Sequence, residues 1–203
     1  MSKNSNTSSY TTKISQLLDV LTECNSHLKY IDYAVQKLAP LLPFTLNSCA
    51  AMQEEDVSHL DQFILRFIKL QDTVGGRLFK SVLDNIGELK GNEPFIDIIN
   101  KLEKFGVVKF EQVRLAGSGE QVHEWGYIRE KRNAMAHDYP ATFRERVAAT
   151  NTVMGYLPRL YEIYRDAKKY ITDKVLVNAK EVKLARYKMP QTSKPQAFEE
   201  QLS

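Results

Sequence analysis

The stretch ISQLLDVLTECNSHLKYIDYAVQKL, residues 14–38, decides the fold class. Its apolar residues Ile14, Leu17, Leu21, Cys24, Leu28, Ile31, Val35 and Leu38 step alternately by three and four, which sets all of them on one stripe of an α-helix. Pro40 and Pro43 end the run, because proline supplies no backbone N–H and its ring clashes with the preceding turn. Upstream, residues 1–9 are rich in Ser and Asn and carry no apolar side chain beyond Met1. With so little to bury against the entropy of ordering, residues 1–11 are expected to form a flexible arm.

The same period recurs downstream. Leu60, Phe63, Phe67, Leu70, Val74, Leu78, Val82, Ile86 and Leu89 predict a second long helix, capped by Asp56 or Ser58 and stopped near Gly91-Asn92. Gly75-Gly76 interrupts it and is read as a close helix crossing, with a kink as the alternative. Pro94 opens a short helix whose face is Phe95, Ile98, Ile99, Leu102 and Phe105, and Gly106 closes it. Residues 107–119 are read as a loop, since a lone strand would have no partner. Val122, Trp125, Ile128 and Met135 support a helix from Glu120 to about His137, where Pro140 restrains Tyr139 from helical geometry. A last helix starts near Thr142 with Phe143, Val147, Thr150, Met154, Leu157, Tyr161, Tyr164 and Ile171 on its buried side and a kink at Pro158. Four long helices and one short one, without a convincing strand, imply an all-α antiparallel helical bundle over residues 12–176, followed by a basic, flexible tail over 177–203.

A chain of 203 residues suits one sizeable domain. No apolar run approaches the length of a spanning helix, and the polar start is unlike a signal peptide, so the expected location is the cytoplasm, without membrane contact. The cysteines Cys24 and Cys49 lack metal-ligand or redox spacing and are given no role. The net charge of +3 is mild but uneven. Arg129, Lys131, Arg132, Arg144 and Arg146 cluster around one helix end, and a second basic series runs Arg159, Arg165, Lys168, Lys169, Lys174, Lys180, Lys183, Arg186 and Lys188. Such a surface favours a polyanion, against the plainer reading of a solvated helix face.

His27, His59, His123 and His137 show no helical metal-pair spacing, and no glycine-rich phosphate loop is present, so neither a metal nor another cofactor is expected. The concentrated chemistry is Arg132-Asn133-Ala134-Met135-Ala136-His137-Asp138-Tyr139-Pro140. It joins a permanent cation suited to bidentate phosphate binding, an amide, an imidazole that titrates near neutrality and a phenol. Arg132 and His137 stand five residues apart, about 140° around an ideal helix. Either the helix distorts at its end, or a second copy completes the groove; the homodimer is the preferred reading. Asp72, Arg77 and Asp84 on the second helix are candidates for a nucleotide pocket, against the commoner solvent-facing role.

The string Arg132-Asn133 followed by His137-Asp138-Tyr139, late in a helical chain, resembles the signature of the HEPN superfamily, in particular that of HepT-type toxins: Arg, four residues, His, any residue, Tyr. The layout matches over residues 12–174. The resemblance implies a HEPN-like bundle acting as a metal-independent endoribonuclease toxin. Arg132 and His137 would be catalytic, with Asn133 and Tyr139 supporting or contacting RNA. It also implies a homodimer and a small nucleotidyltransferase antitoxin that adenylylates Tyr139. The alternative from the binding class is a non-catalytic RNA- or nucleotide-binding module, or a scaffold for a nucleotidyltransferase.

Overall fold

The stripe of residues 14–38 is realised in helix α1, Lys3–Leu38, of which only Val35 among the eight stripe residues is not fully buried. The computed structural model describes residues 3–115, 118–137 and 143–176. The helix starts at Lys3, so the expected arm is helical over most of its length. Once a buried stripe has nucleated a helix, adding polar residues to its end costs little, and Ser and Asn are tolerated there. The Tyr10 hydroxyl donates to the Val175 carbonyl at 3.4 Å, tying that end down.

After a 3-10 turn at Ala39–Leu41 and the short α2, Leu46–Ala50, comes α3, Glu54–Thr73. It begins earlier than its predicted caps, with Glu54, Glu55 and Asp56 in the first turn. Asp56 still serves the helix start, accepting the Gln53 backbone N–H at 2.9 Å. Gly75-Gly76 lies in a π-helical turn, Val74–Leu78, that leads into α4, Phe79–Asn85. A Cβ on Gly76 would meet nothing within 4 Å, so no close crossing forms at that residue. The extra residue in the π turn keeps Leu70, Val74, Leu78 and Val82 all buried.

Helix α4 stops before the predicted Gly91-Asn92. Gly87 takes φ +78°, and Glu88 N–H donates to the Leu83 carbonyl at 2.8 Å. Helix α5, Phe95–Lys104, closes at Gly106 as expected. Gly106, at φ +68°, donates to Glu103, and Val107 donates to Leu102, the paired bonds of a left-handed C-terminal cap. Gly106→Ala should lower stability by about 1 kcal/mol through the left-handed backbone alone, since its Cβ has open space. Denaturant midpoints of the two proteins measure it.

Residues 107–119 are not simply a loop. Strand β1, Gln112–Arg114, pairs antiparallel with β2, Gln121–His123, with Val113 opposite Val122. The missing partner was in the segment expected to start a helix, so α6 begins at Glu124 and runs to His137. Helix α7, Phe143–Tyr170, contains Pro158 and passes into a π turn at Ile171–Val175. The protein is thus mostly helical with one small hairpin. The tail from residue 177 lies outside the described residues.

The span expected as one bundle divides into two compact units. Of the described residues, the first takes in those up to Ser26, Gln71–Lys109 and 161–176; the second takes in His27–Leu70 and those of Phe110–Leu160. In the first, Ile14, Leu17, Leu78, Phe79, Leu83, Ile98, Leu102 and Ile163 are buried, each large apolar side chain stabilising the fold by roughly 1.5–3 kcal/mol. The buried Tyr164 hydroxyl is satisfied by Asn25 Oδ1 at 2.7 Å. In the second, Leu28, Ile31, Phe63, Phe67, Trp125, Ile128 and Leu157 are buried.

Both cysteines are free, Cys24 buried and Cys49 half-buried. Burial, followed by the neighbouring Glu23 charge, pushes the Cys24 thiol up to about 12, while burial raises Cys49 as well. A thiol reagent at pH 8 should therefore titrate Cys49 slowly and leave Cys24 untouched until denaturant is added; rapid reaction of two thiols in the native protein would contradict this.

Candidate functional site

Helix α6 carries the Arg132–His137 string, and its first residues explain how it is held. Glu124 is 3% exposed at its side chain, and Arg159 of α7 grips it with both arms of the guanidinium: Nε to Oε2 at 2.8 Å and an Nη to Oε1 at 2.6 Å. Glu124 Oε1 also accepts the Glu111 backbone N–H at 2.7 Å, and the Glu124 N–H donates to the Glu111 carbonyl at 3.0 Å. Trp125 follows, buried edge-on against Phe110 at 6.2 Å between ring centroids. The Trp125 backbone N–H donates to His123 Nδ1 at 3.2 Å, which makes that imidazole an acceptor at Nδ1. The β hairpin and α7 thus fix the start and direction of α6.

One turn on, Tyr127 packs edge-to-face on Tyr156 of α7, with centroids 5.2 Å apart. Burial, then the hydrogen bond and proximity to Tyr127, hold the Tyr156 phenol well above its ordinary value, so it stays protonated. Lys131 Nζ lies 5.0 Å from the Tyr127 ring centroid and 3.4 Å from Glu130. Arg132 is half-buried beside it, while Arg129 and Arg144 are exposed.

His137 is the last residue of α6, and Asn133 stands four residues before it, on the same ridge of the helix. The side chains of Asn133 and His137 lie outside the described residues, as does all of Tyr139. The Arg146 side chain and residues 180–188 of the second basic series also lie outside them. Arg132, Asn133 and His137 therefore share one helix over its last two turns.

Other residues singled out in the sequence have structural tasks. Arg77 pairs with Glu23, whose other oxygen accepts from the Thr73 hydroxyl at 3.0 Å, and Asp84 pairs with Lys13 at 2.7 Å. These bonds join α1 to the end of α3 and the segment after it, which accounts for Arg77 and Asp84 without a ligand. Arg159, counted in the basic series, is neutralised by Glu124. Lys168 is half-buried, and that burial lowers its ammonium pKa. Among the described residues, no three His, Cys, Asp or Glu side chains gather around a possible metal position. Among them, too, no helix is long and apolar enough to cross a membrane.

The Glu124–Arg159 anchor escaped the sequence reading because its partners are 35 residues apart and each resembles an ordinary surface charge. The aromatic pair Tyr127–Tyr156 was equally hidden. A further group, Tyr30, Tyr33 and Lys37, did leave a signal: the spacing i, i+3, i+7 opposite the apolar stripe of α1. No protein-family model, curated protein or solved structure matches this chain.

Proposed function

We propose that the chain is a metal-independent endoribonuclease acting as the toxin of a toxin–antitoxin pair. The observation that carries this reading is the sequence string Arg132-Asn133, then His137-Asp138-Tyr139, of which the part through His137 closes a helix that the Glu124–Arg159 pair anchors at its start. RNA supplies its own nucleophile. The 2'-hydroxyl oxygen attacks the adjacent phosphorus and the bond to the 5' oxygen breaks, leaving a 2',3'-cyclic phosphate and a 5'-hydroxyl. An imidazole takes the 2'-hydroxyl proton, and an imidazolium supplies one to the departing 5' oxygen. His137 is assigned both transfers, its imidazole taking the 2'-hydroxyl proton and handing one on as imidazolium, in a cleft shared by the two copies of a homodimer. Arg132 carries the added negative charge on the phosphate oxygens, and Asn133, one helical turn before His137, orients the imidazole or the phosphate.

Tyr139 is assigned control. A nucleotidyltransferase partner joins its phenol oxygen to the α-phosphorus of ATP, pyrophosphate leaves, and the phenolic proton goes to solvent. The added phosphate brings bulk and negative charge where RNA phosphate must lie. The test is incubation of purified protein with RNA in EDTA. Fragments with 2',3'-cyclic phosphate ends, lost in His137→Ala, support the proposal. RNA binding without fragments favours the non-catalytic module instead. Intact mass after coexpression with a nucleotidyltransferase tests the modification, expected as AMP-sized additions confined to Tyr139.

A further inference from the structure

Helices α1 and α3 run antiparallel across the second unit, and a group of rings and cations faces solvent along their shared edge. Tyr30 and Tyr33 are 38% and 47% exposed, large values for tyrosine on a helix with a continuous buried stripe. The Arg66 guanidinium lies over the Tyr30 ring, 4.4 Å from its centroid, and Arg66 also meets His27 Nδ1 at 3.4 Å. Lys29 stands 6.0 Å from the centre of the same ring, and Lys37 stands 5.7 Å from that of Tyr33. The His59 ring meets Tyr33 edge-on at 5.5 Å.

The cations of this edge differ from those that tie elements of the fold together. Lys13, Arg77, Lys101 and Arg159 are each paired with a carboxylate. Among the described residues, Lys29, Lys37 and Arg66 are in no ion pair and rest on rings instead. Glu55 lies 3.5 Å from His59 Nε2, and Asp32 stands between Lys29 and Lys37 on α1. Exposed flat groups thus alternate with cations that rest on rings.

We propose that this edge of α1 and α3 binds single-stranded RNA, with bases stacked on Tyr33 and on the outer plane of Arg66, and phosphates held by Lys29 and Lys37. Every base offers a π face, so such a platform takes successive nucleotides without requiring a sequence, and arginine planes stack bases as aromatic rings do. A duplex does not fit, because its bases are already stacked within the helix. A lipid surface is disfavoured because Val57 and Leu65, the exposed aliphatic residues of α3, lie about 100° or more around the helix from His59 and Arg66. A second copy packed across a twofold axis would set like charges around that axis. The choice of RNA over single-stranded DNA rests on the nuclease reading above; the surface itself does not.

The probe is a fluorescent twelve-nucleotide oligouridine with 2'-O-methyl groups, which cannot be cleaved by its own 2' oxygen, titrated against the full chain. Tyr30→Ala with Tyr33→Ala should weaken binding by about tenfold or more, whereas the double Phe variant should bind nearly as wild type. Lys29→Gln with Lys37→Gln should flatten the dependence of log affinity on log salt by roughly 1.4, two single-strand phosphate contacts. Circular dichroism confirms folding, which exposed side chains should leave intact. Unchanged RNA affinity in a folded double Ala variant overturns the proposal, as does binding confined to phosphatidylserine vesicles or to the matching DNA strand. A chain that cleaves no RNA but binds the probe through Tyr30 and Tyr33 removes the nuclease reading and keeps this surface. A chain that cleaves RNA while the double Ala variant binds as wild type does the reverse.

Discussion

His137→Ala should reduce RNA cleavage in EDTA by on the order of 10²–10⁴-fold, the usual scale for losing a positioned proton-transfer group. Arg132→Ala should cost roughly 10²–10³-fold, as loss of one fixed donor to developing phosphate charge does. Arg132→Lys should recover only part of this, because an ammonium keeps the charge but not the planar pair of donors. If these residues only cap the helix, all three variants shift the melting temperature and leave cleavage unaltered. The angular separation of Arg132 and His137, about 140° on a regular helix, adds a sharper test. In a cleft shared by two chains, a mixed dimer of Arg132→Ala with His137→Ala retains one arginine and one histidine on opposite subunits. Such mixtures should regain activity that neither homodimer has. A site contained in one chain regains none.

How much of this was legible in the sequence follows from the length scale of each signal. The stripes of α1 and α3 are long enough for a 3.6-residue period to declare itself, and the structure buries nearly all their apolar members. Gly106 was legible because a positive φ at a helix end has few other solutions. The hairpin was not, since strands of three residues such as Gln112–Arg114 and Gln121–His123 show no period, and Val122 fits a helix stripe as well as a strand. The early stop at Gly87 lost to a second glycine, Gly91, that also takes a positive φ. For the site, the string Arg132–Tyr139 was visible as chemistry, but what holds its helix in place was not. Glu124 and Arg159 become partners only when α6 and α7 are brought side by side, and nothing local in either sequence records that.

Glu124→Ala should destabilise the protein by about 3–5 kcal/mol, one of the largest losses expected for a single change. The reason is the accounting of groups left behind. Arg159, 21% exposed at its side chain, loses its two bonds to Glu124, and the Glu111 N–H loses its acceptor. Water reaches an exposed guanidinium easily but this one only in part, so the cost falls at the upper end for an ion pair rather than near the surface value. Glu124→Gln should cost less, because the amide oxygen still accepts one bond. The informative variant is Glu124→Leu combined with Arg159→Met. If the large single-mutant loss comes from stranding one charge, removing both should restore a good part of the stability, leaving chiefly the unsatisfied Glu111 N–H. Chemical denaturation of the four proteins gives the cycle; a double variant no more stable than Glu124→Leu would mean that the hairpin contact, not the ion pair, carries the effect. The same variants bear on function. The anchor lies at the opposite end of α6 from His137, so a restored double variant that folds yet cleaves poorly would show that the direction of this helix, and not merely its presence, sets the site.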